Sequence, residues 1–578
     1  MTERKHPKLA INPPVFFISG GLLLAFLAFG VFKTELASDL FPKILDWVST
    51  HFGWLYVGSL GFFIIFALWL LFSRHASIRL GDDDERPEFH LLTWFSMLFS
   101  AGMGIGLVFY GVAEPMMHYA SPPGVEGGTI EAAEHALPTT FFHWGIHAWA
   151  IYVLMALAIA YFSFRRKLPL AIRSCFYPIL GERIYGWPGH LIDILAVFGT
   201  LFGLATSLGL GAQQVNAGLN YLFDIPLETK SQLILIAVIT GAATISLVTG
   251  VSKGIRRLSE ANMVLAALLM IFVFVVGPTL FIVNSFVENV GNYLGEVFTR
   301  TFRVGVMGGD QSEWAKSWTL FYWGWWIAWS PFVGMFVARI SRGRTIREFI
   351  LGVLLVPTGV TFIWFSVFGG TALDLELSGH GISAAVSDDL STAIYVMLEK
   401  LPLSAITSFL AAAVVAVFFV TSSDSASFVV DMLTSGGHPD PPIWQRVFWA
   451  CTEGACAAVL LYAGGSKALN ALQAAVVTIG LPFCVVLLVM CWSLVRALRQ
   501  DHPSLMDIPR GREIAEVAAV EAAEVAEVEA AEVADRVASE SRDGTSGDGR
   551  GGTSEKGSTD QDDEEGTEDD KETASRES

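Results

Sequence analysis

Two apolar segments hold aromatic residues at helical spacing. When segment 139–163 is drawn as a helix, Trp144, Trp149 and Tyr152 fall within an arc of about 140°. A second stripe, within about 120° on segment 315–338, is formed by Tyr322, Trp326, Trp329, Phe332 and Phe336. A cage of such rings binds quaternary ammonium ions, which have no N–H to donate and are attracted by the negative ring faces.

Tryptophan also collects at membrane surfaces, where its N–H meets water. That alternative suits Trp47, Trp54 and Trp94. It suits Trp326 and Trp329 less well, because these two continue toward the middle of their segment, beside a proline. Neither stripe contains Asp or Glu, which favours a zwitterion whose carboxylate binds backbone N–H groups at a broken helix.

The elements that position these stripes are long and apolar. The chain has 578 residues, of which 53% are hydrophobic and 16% charged, with a mean hydropathy of +0.51. Soluble domains carry about 25% charged residues, so a soluble enzyme is excluded. Twelve segments have a length suited to crossing a bilayer: 15–32, 52–73, 91–118, 139–163, 190–222, 231–249, 261–285, 315–338, 346–368, 402–430, 446–463 and 470–495. We expect an all-α integral membrane protein with twelve transmembrane helices.

Charge in the loops predicts the orientation. With a cytoplasmic N-terminus, the cytoplasmic side carries 21 of the Lys and Arg residues before position 500 and the opposite side 8, in agreement with the positive-inside rule. Both termini then lie in the cytoplasm, and the protein lies in the cell membrane. The net charge of −19 belongs mainly to residues 501–578, which hold 24 acids and 8 bases. No basic patch suited to nucleic acid is present.

A glycine run interrupts the third span, and this predicts internal symmetry. Gly102, Gly104 and Gly106 lie in its middle, and Trp329-Ser330-Pro331 lies at a similar depth in the eighth span. Broken helices at matching places favour two inverted five-helix repeats, spans 3–7 and 8–12, with broken helices at the centre. Close helix packing through small residues is an equally good interpretation of the glycines alone.

The chain divides into five regions along its length. Residues 1–90 form an N-terminal tail and two peripheral spans, 91–285 the first repeat and 315–498 the second. The connection 286–314 contains an amphipathic pattern over 286–303, which predicts an interfacial helix at the lipid surface or against a partner subunit. The acidic tail 499–578 is expected to be partly helical and then disordered.

Few other residues suggest chemistry. Glu114 and Asp424 lie within spans, where acids are costly, so we interpret them first as a buried polar network and second as part of ion coupling. His143 and His147 are four residues apart, which permits a metal site, although no third ligand lies nearby in sequence and polar packing is favoured. With no catalytic motif in context, we expect no enzyme, no catalytic residue and no cofactor.

Several blocks resemble the betaine/choline/carnitine transporter family over about residues 10–498. They are SAGMGIGLVFY (100–110), FHWGIHAW (142–149), YWGWWIAWSPFVGMF (322–336) and RISRGR (339–344). The resemblance implies a homotrimeric alternating-access symporter of the inverted-repeat type, embedded in membrane lipid. By motif match, the substrate is held by Trp144, Trp149, Tyr152 and Trp326, with Gly102, Gly104 and Gly106, and the cytoplasmic exit is lined by Trp329 and Phe336.

Sodium is the coupling ion that the resemblance implies. One sodium site would use the carbonyls of Ser100 and Met103 with Phe418, Thr421 and Ser422. Without the family, the Thr-Ser pair is better explained by local bonding to the i−4 carbonyl. A second family site matches at Thr200 and Phe332, but Leu204 replaces its other hydroxyl ligand, so two-sodium coupling is not expected.

The expected function is sodium-driven import of a small trimethylammonium solute, glycine betaine above others. Gly106 stands where proton-coupled choline carriers of the family have an acid, and Asn262-Met263 where sodium-independent carnitine exchangers have arginine. The alternatives are a proton-coupled or exchange carrier for choline, carnitine or a sulfonium betaine. An ion channel or polytopic membrane enzyme is the alternative of another class, and it would require a continuous polar pore or a catalytic constellation.

Overall fold

The structure is a computed structural model that describes residues 11–102, 104–249, 252–438 and 441–501, without the side chains of 99–102, 249, 252–257 and 466. Over these residues the fold is helical, with no β-strand and a single isolated bridge between Arg79 and Thr345. The acidic tail after position 501, and with it the predicted partly helical and disordered segments, lies outside the described residues.

The helices up to the end of the seventh predicted span are α1 (Pro13–Phe32), α2 (Thr34–Phe72), α3 (Leu91–Gly102), α4 (Ile105–Ala120), α5 (Ile130–Trp144), α6 (Ile146–Ala160), α7 (Tyr177–Leu180), α8 (Trp187–Phe223), α9 (Thr229–Thr249) and α10 (Ser252–Val276). The following helices are α11 (Thr279–Thr301), α12 (Asp310–Ser317), α13 (Thr319–Ile340), α14 (Ile346–Leu377), α15 (Ile382–Asp388), α16 (Ala393–Glu399), α17 (Ser404–Thr434), α18 (Ile443–Gly464) and α19 (Ala468–Asp501). Short 3-10 turns join some of them, and α6 ends in a π-turn at Tyr161–Arg165.

Ten of the helical segments are long and apolar enough to cross a membrane, among the described residues. They match ten of the twelve predicted spans. The other two correspond to α3 with α4, which is split into short helices, and to α13, whose many tryptophans lower its hydropathy. The chain is therefore a multi-pass helical membrane protein, whereas the count of twelve and the inverted repeat remain predictions.

Burial separates central helices from peripheral ones. Every residue of α13 is buried except Phe336 and Arg339. The most apolar stretch of Ile130–Arg165 is 94% buried, whereas those of α9 and α10 are only 22% buried. The tryptophans of α13 thus lie inside the protein, which argues against a surface belt for them. α9 and α10 instead expose aliphatic side chains suited to lipid.

The predicted break in the third span is confirmed. α3 ends at Gly102 and α4 begins at Ile105, with Gly104 extended at φ −141° and ψ −163° between them. A second break, which the sequence reasoning missed, divides the fourth span at Gly145. A Cβ at this glycine would lie 2.6 Å from the Phe141 carbonyl oxygen and 2.9 Å from the Tyr293 hydroxyl. The free Ile146 N–H of the new helix end donates to that hydroxyl at 3.3 Å.

The predicted break in the eighth span is wrong, because α13 continues through Pro331. A proline inside a helix removes one N–H and leaves the carbonyl four residues earlier without its partner. That carbonyl belongs to Ile327, and the Ser330 hydroxyl donates to it at 2.8 Å. This local replacement satisfies the freed carbonyl and allows the helix to continue.

The amphipathic helix begins earlier than predicted. α10 ends at Val276, and α11 starts at Thr279, seven residues before the predicted boundary at 286. Gly277 and Pro278 separate the two helices. α11 buries Tyr293 and Val297 against the rest of the protein. Its other face exposes large apolar side chains, namely Val287, Leu294 and Phe298.

Candidate functional site: an aromatic cavity

A cavity lies where the breaks and the tryptophan helix meet. Its empty volume is about 460 Å³, which includes space open to solvent. The lining comes from four places in the fold: the start of α4, the junction of α5 and α6, the middle of α13, and α14. The lining residues are Gly104, Gly106, Leu107, Trp144, Ala148, Trp149, Tyr152, Trp325, Trp326, Trp329, Val333 and Thr361.

The four predicted aromatic cage residues all line this cavity. Trp144 ends α5, whereas Trp149 and Tyr152 lie on α6 after the break at Gly145. The ring of Trp144 meets that of Trp326 edge to face, with centroids 4.9 Å apart at 69°. Trp149 and Tyr152 form a second edge-to-face pair, with centroids 5.4 Å apart at 78°. Two helical segments that are distant in sequence therefore present indole and phenol rings to one space.

Trp325 also lines the cavity, and the sequence reasoning missed it. It stacks on Trp326 at 4.9 Å and 12°, and on Trp329 at 5.9 Å and 17°. The predicted stripe was centred on Tyr322 and Trp326. It therefore left out a second series with a spacing of four residues, Trp325, Trp329 and Val333. That spacing was the available signal for a cavity face of α13.

Two glycines permit this arrangement of rings. A Cβ at Gly106 would lie 2.8 Å from the ring of Trp325 and 3.0 Å from that of Trp144. A Cβ at Gly203, on α8, would lie 3.2 Å from the backbone of Trp329. A side chain at either position would press against a tryptophan of α13. The glycines at the start of α4 therefore serve two purposes, the helix break and close approach to the tryptophans.

Three indole N–H groups at the cavity donate to defined partners. Trp326 Nε1 donates to the His143 carbonyl at 3.0 Å, and Trp325 Nε1 donates to the Gly203 carbonyl at 3.2 Å. Trp144 Nε1 donates to a carboxylate oxygen of Glu114 at 2.7 Å. Trp329 Nε1 is buried and has no hydrogen-bond partner among the described residues, although its ring lines the cavity.

Glu114 is the centre of a buried polar network behind the cavity. One carboxylate oxygen lies 3.1 Å from His118 Nε2 and 2.7 Å from His143 Nδ1. The other accepts from Trp144 Nε1 and from the Tyr322 hydroxyl. All of these side chains are buried. The first interpretation of Glu114, as part of a buried polar network, is confirmed.

Among the described residues, three side chains of this network also lie close enough together to hold a metal ion. The ligand atoms of Glu114, His118 and His143 lie within 4.8 Å of one another. The expectation that His143 has no third ligand nearby is therefore wrong: its neighbours come from α4 and not from His147, which contacts Thr301 at 2.8 Å. The hydrogen-bond distances between these atoms show that they already satisfy one another, so we do not assign a metal.

The remaining predicted residues lie as follows. Phe336 is half-buried at the C-terminal end of the α13 stripe, and Gly102 is the last residue of α3. Asp424 is half-buried on α17, apart from the Glu114 network. Glu453 on α18 is a second fully buried glutamate, which accepts from Ser427 Oγ at 2.7 Å.

The predicted sodium ligands are only partly described. Met103 and the side chain of Ser100 lie outside the described residues. Phe418 is buried on α17, while Thr421 and Ser422 are half-buried there. The Thr421 hydroxyl donates within its own helix, to the Val417 carbonyl at 3.1 Å, which leaves its oxygen lone pairs free to accept a cation.

The residues of the second predicted sodium site are buried and lie on two helices. Thr200 and Leu204 lie on α8, and Phe332 on α13. Thr200 Oγ1 has no hydrogen-bond partner among the described residues. Leu204 contributes no oxygen at the position where a second hydroxyl was expected.

The fold and the cavity together define the class. Among the described residues, ten long apolar helices and an aromatic-lined cavity between helices are typical of a polytopic membrane protein with an internal small-molecule site.

Comparison with known proteins gives the family. The family model of the betaine/carnitine/choline family transporters (BCCT) matches residues 14–503, and the chain belongs to that family. It is a transporter and not an enzyme. A probable glycine betaine transporter of Desulfitobacterium hafniense is 46% identical over 85% of this chain and 98% of its own length. The glycine betaine transporter OpuD of Bacillus subtilis is 47% identical over 86% and 98%. A glycine betaine/proline/choline/ectoine transporter of Vibrio parahaemolyticus is 45% identical over 85% and 88%.

Proposed function

We propose that this protein imports glycine betaine, or a closely related trimethylammonium solute, across the cell membrane by sodium symport. The observation that carries the proposal is the convergence of Trp144, Trp149, Tyr152 and Trp326 on one cavity. A methylated onium head has no N–H group, so ring faces are its natural partners. The names of the relatives from Desulfitobacterium and Bacillus support the same substrate.

The cavity also suits the other end of a zwitterion. Gly104 and Gly106 line it where α4 begins, so the first N–H groups of α4 lie at its edge without i−4 partners. Helix N-termini favour carboxylates through these N–H groups and the helix dipole. The unpartnered N–H of Trp329 offers a further donor. Among the residues that the structure describes, no Asp or Glu lines the cavity, which supports a substrate that carries its own negative charge.

Sodium is the proposed coupling ion, with one ion bound at the first predicted site. Thr421 and Phe418 lie on α17, which packs against α4 just after the break in the third span. A hydroxyl and carbonyls released by a helix break are hard oxygen ligands of the kind that Na⁺ takes in transporters. The second site lacks a hydroxyl at Leu204, which supports a single sodium per cycle.

Alternating access is the proposed mechanism. The broken third and fourth spans place irregular backbone at the cavity, and such backbone inside a membrane protein usually lines a solute site. We propose that twelve spans form two inverted five-helix repeats that move relative to one another. Trp329 and Phe336, on one stripe of α13, then line the route from the cavity to the cytoplasm, with both termini on the cytoplasmic side.

A homotrimer in the lipid bilayer is the proposed assembly. The exposed apolar face of α11, with Val287, Leu294 and Phe298, is the surface we assign to lipid or to a neighbouring subunit. Cross-linking of the full chain in membranes would reveal a band at three times the chain's mass. A band pattern that ends at the monomer would contradict this assembly.

A broader substrate range is the second candidate. It is favoured by the 45% identity to the Vibrio relative whose name includes proline, choline and ectoine. Proline and ectoine lack a trimethylammonium head. If this chain carries them, the cavity recognises cationic nitrogen and shape more generally, and the aromatic cage contributes less to selectivity.

Uptake by the purified full chain in proteoliposomes tests the proposal. Labelled glycine betaine should accumulate when an inward sodium gradient is applied. It should not accumulate when potassium replaces sodium at an unchanged pH gradient. Unlabelled betaine, choline, carnitine, proline and ectoine, added in turn, rank the substrates by competition. Equal uptake in both salts would overturn sodium coupling, and the absence of any uptake or competition would overturn the substrate class.

A further inference from the structure

The carboxylate of Glu114 lies behind the cavity wall without lining it. We propose that Glu114 is a positioning residue, which acts through Trp144 by fixing the indole ring in the orientation that receives the onium head. This inference rests on the proposed function. It assigns the buried acid a role in substrate affinity that is separate from ion coupling.

The hydrogen bonds around Glu114 show that one of its oxygens accepts from Trp144. Trp144 Nε1 can only donate, so the oxygen it contacts accepts. Tyr322 contacts the same oxygen, and two histidine nitrogens contact the other.

The two histidines extend the network to a third helix. His143 uses its second ring nitrogen, Nε2, in a contact to Thr319 Oγ1 at 3.1 Å. His118 Nδ1 is buried and has no partner among the described residues. The network thereby connects Glu114 on α4 with α5 and α13.

This arrangement fixes the ring of Trp144 with little freedom. Its N–H donates to a carboxyl oxygen of Glu114 at 2.7 Å. The edge of its ring lies against Gly106, where a Cβ would be only 3.0 Å away. The centroid of its ring lies 4.9 Å from that of Trp326. Loss of the hydrogen bond removes the one polar constraint on an otherwise apolar ring.

Glycine betaine binding to variants of the detergent-purified full chain tests the role, with tryptophan fluorescence as the readout. Glu114→Gln should raise the Kd about tenfold, because the glutamine amide has one acceptor oxygen where the carboxyl group of Glu114 offers two. Glu453→Gln is the matched control: it is the same change in another fully buried glutamate, on a helix that packs mainly on α8, α9 and α19. Its Kd should stay within twofold of wild type.

A double-mutant comparison separates positioning from general structural damage. Trp144→Phe retains a buried ring and loses the N–H, so it should also raise the Kd about tenfold. Because both changes act on the same hydrogen bond, the combined variant should be about tenfold weaker than wild type rather than about a hundredfold. A hundredfold loss, or wild-type affinity in either single variant, would overturn the proposal.

Two further outcomes keep the test decisive. If Glu114→Gln does not fold, Trp144→Phe alone decides, since an unchanged Kd in that variant excludes a positioning bond. If the wild-type protein binds neither glycine betaine nor choline, the proposed function fails. If wild type binds and Glu114→Gln binds equally well, only the present inference fails.

Discussion

Removal of one ring from the cage should weaken substrate binding by a calculable amount. Trp326 is 4% exposed, lines the cavity and contacts Trp144 edge to face. A desolvated cation–π contact contributes about 2 kcal/mol, and 1.4 kcal/mol corresponds to a factor of ten. Trp326→Ala should therefore raise the glycine betaine Kd, measured by equilibrium dialysis with labelled ligand, about thirtyfold.

Matched variants on the same helix make this prediction specific. Trp326→Phe keeps an aromatic face and loses only the N–H donated to the His143 carbonyl, so its Kd should rise by about threefold or less. Trp323 lies on α13 but outside the cavity lining, stacked on His147 at 5.0 Å. Trp323→Phe should bind as wild type does. The cage would be refuted if Trp326→Ala changed the Kd less than threefold, or if Trp323→Phe weakened binding as much as Trp326→Ala.

Four other substitutions test three separate parts of the account. Gly106→Ala should raise the uptake KM at least tenfold, because a Cβ there would lie 2.8 Å from a cavity tryptophan; an unchanged KM would contradict the close approach. Ser330→Ala should lower the stability of the detergent-purified protein by about 1–3 kcal/mol, because a buried carbonyl loses its donor; an equal Tm would show that α13 does not need this bond. Thr421→Val should raise the sodium concentration for half-maximal uptake, whereas Thr200→Val should leave it unchanged; the reverse result would place the coupling ion at the second site.

The aromatic site was largely predictable from residue types. Helical periodicity is a local property, and it was enough to place Trp144, Trp149, Tyr152 and Trp326 on two aromatic stripes; all four line the cavity. Their convergence depends on which helices pack together, and that information came from the family resemblance rather than from spacing.

The parts that sequence reasoning missed depend on contacts distant in the chain. The break at Gly145 is held by a hydroxyl on α11, far along the sequence. At Pro331 the sequence reasoning predicted a break that does not occur, because the neighbouring Ser330 replaces the lost hydrogen bond. His118 lies one helical turn after Glu114 on α4, whereas the other partners come from α5 and α13, so periodicity within one segment could reveal only the first.

Affinity for a substrate without its charge tests the central claim most directly. The compound 3,3-dimethylbutanoate has the shape of glycine betaine, with a neutral carbon in place of the cationic nitrogen. If ring faces of α6 and α13 hold an onium head, the purified protein should bind glycine betaine at least about thirtyfold more tightly than this analogue, measured by competition against labelled betaine. Equal affinity for the two compounds would show that the cavity recognises shape alone and would contradict the cation–π account.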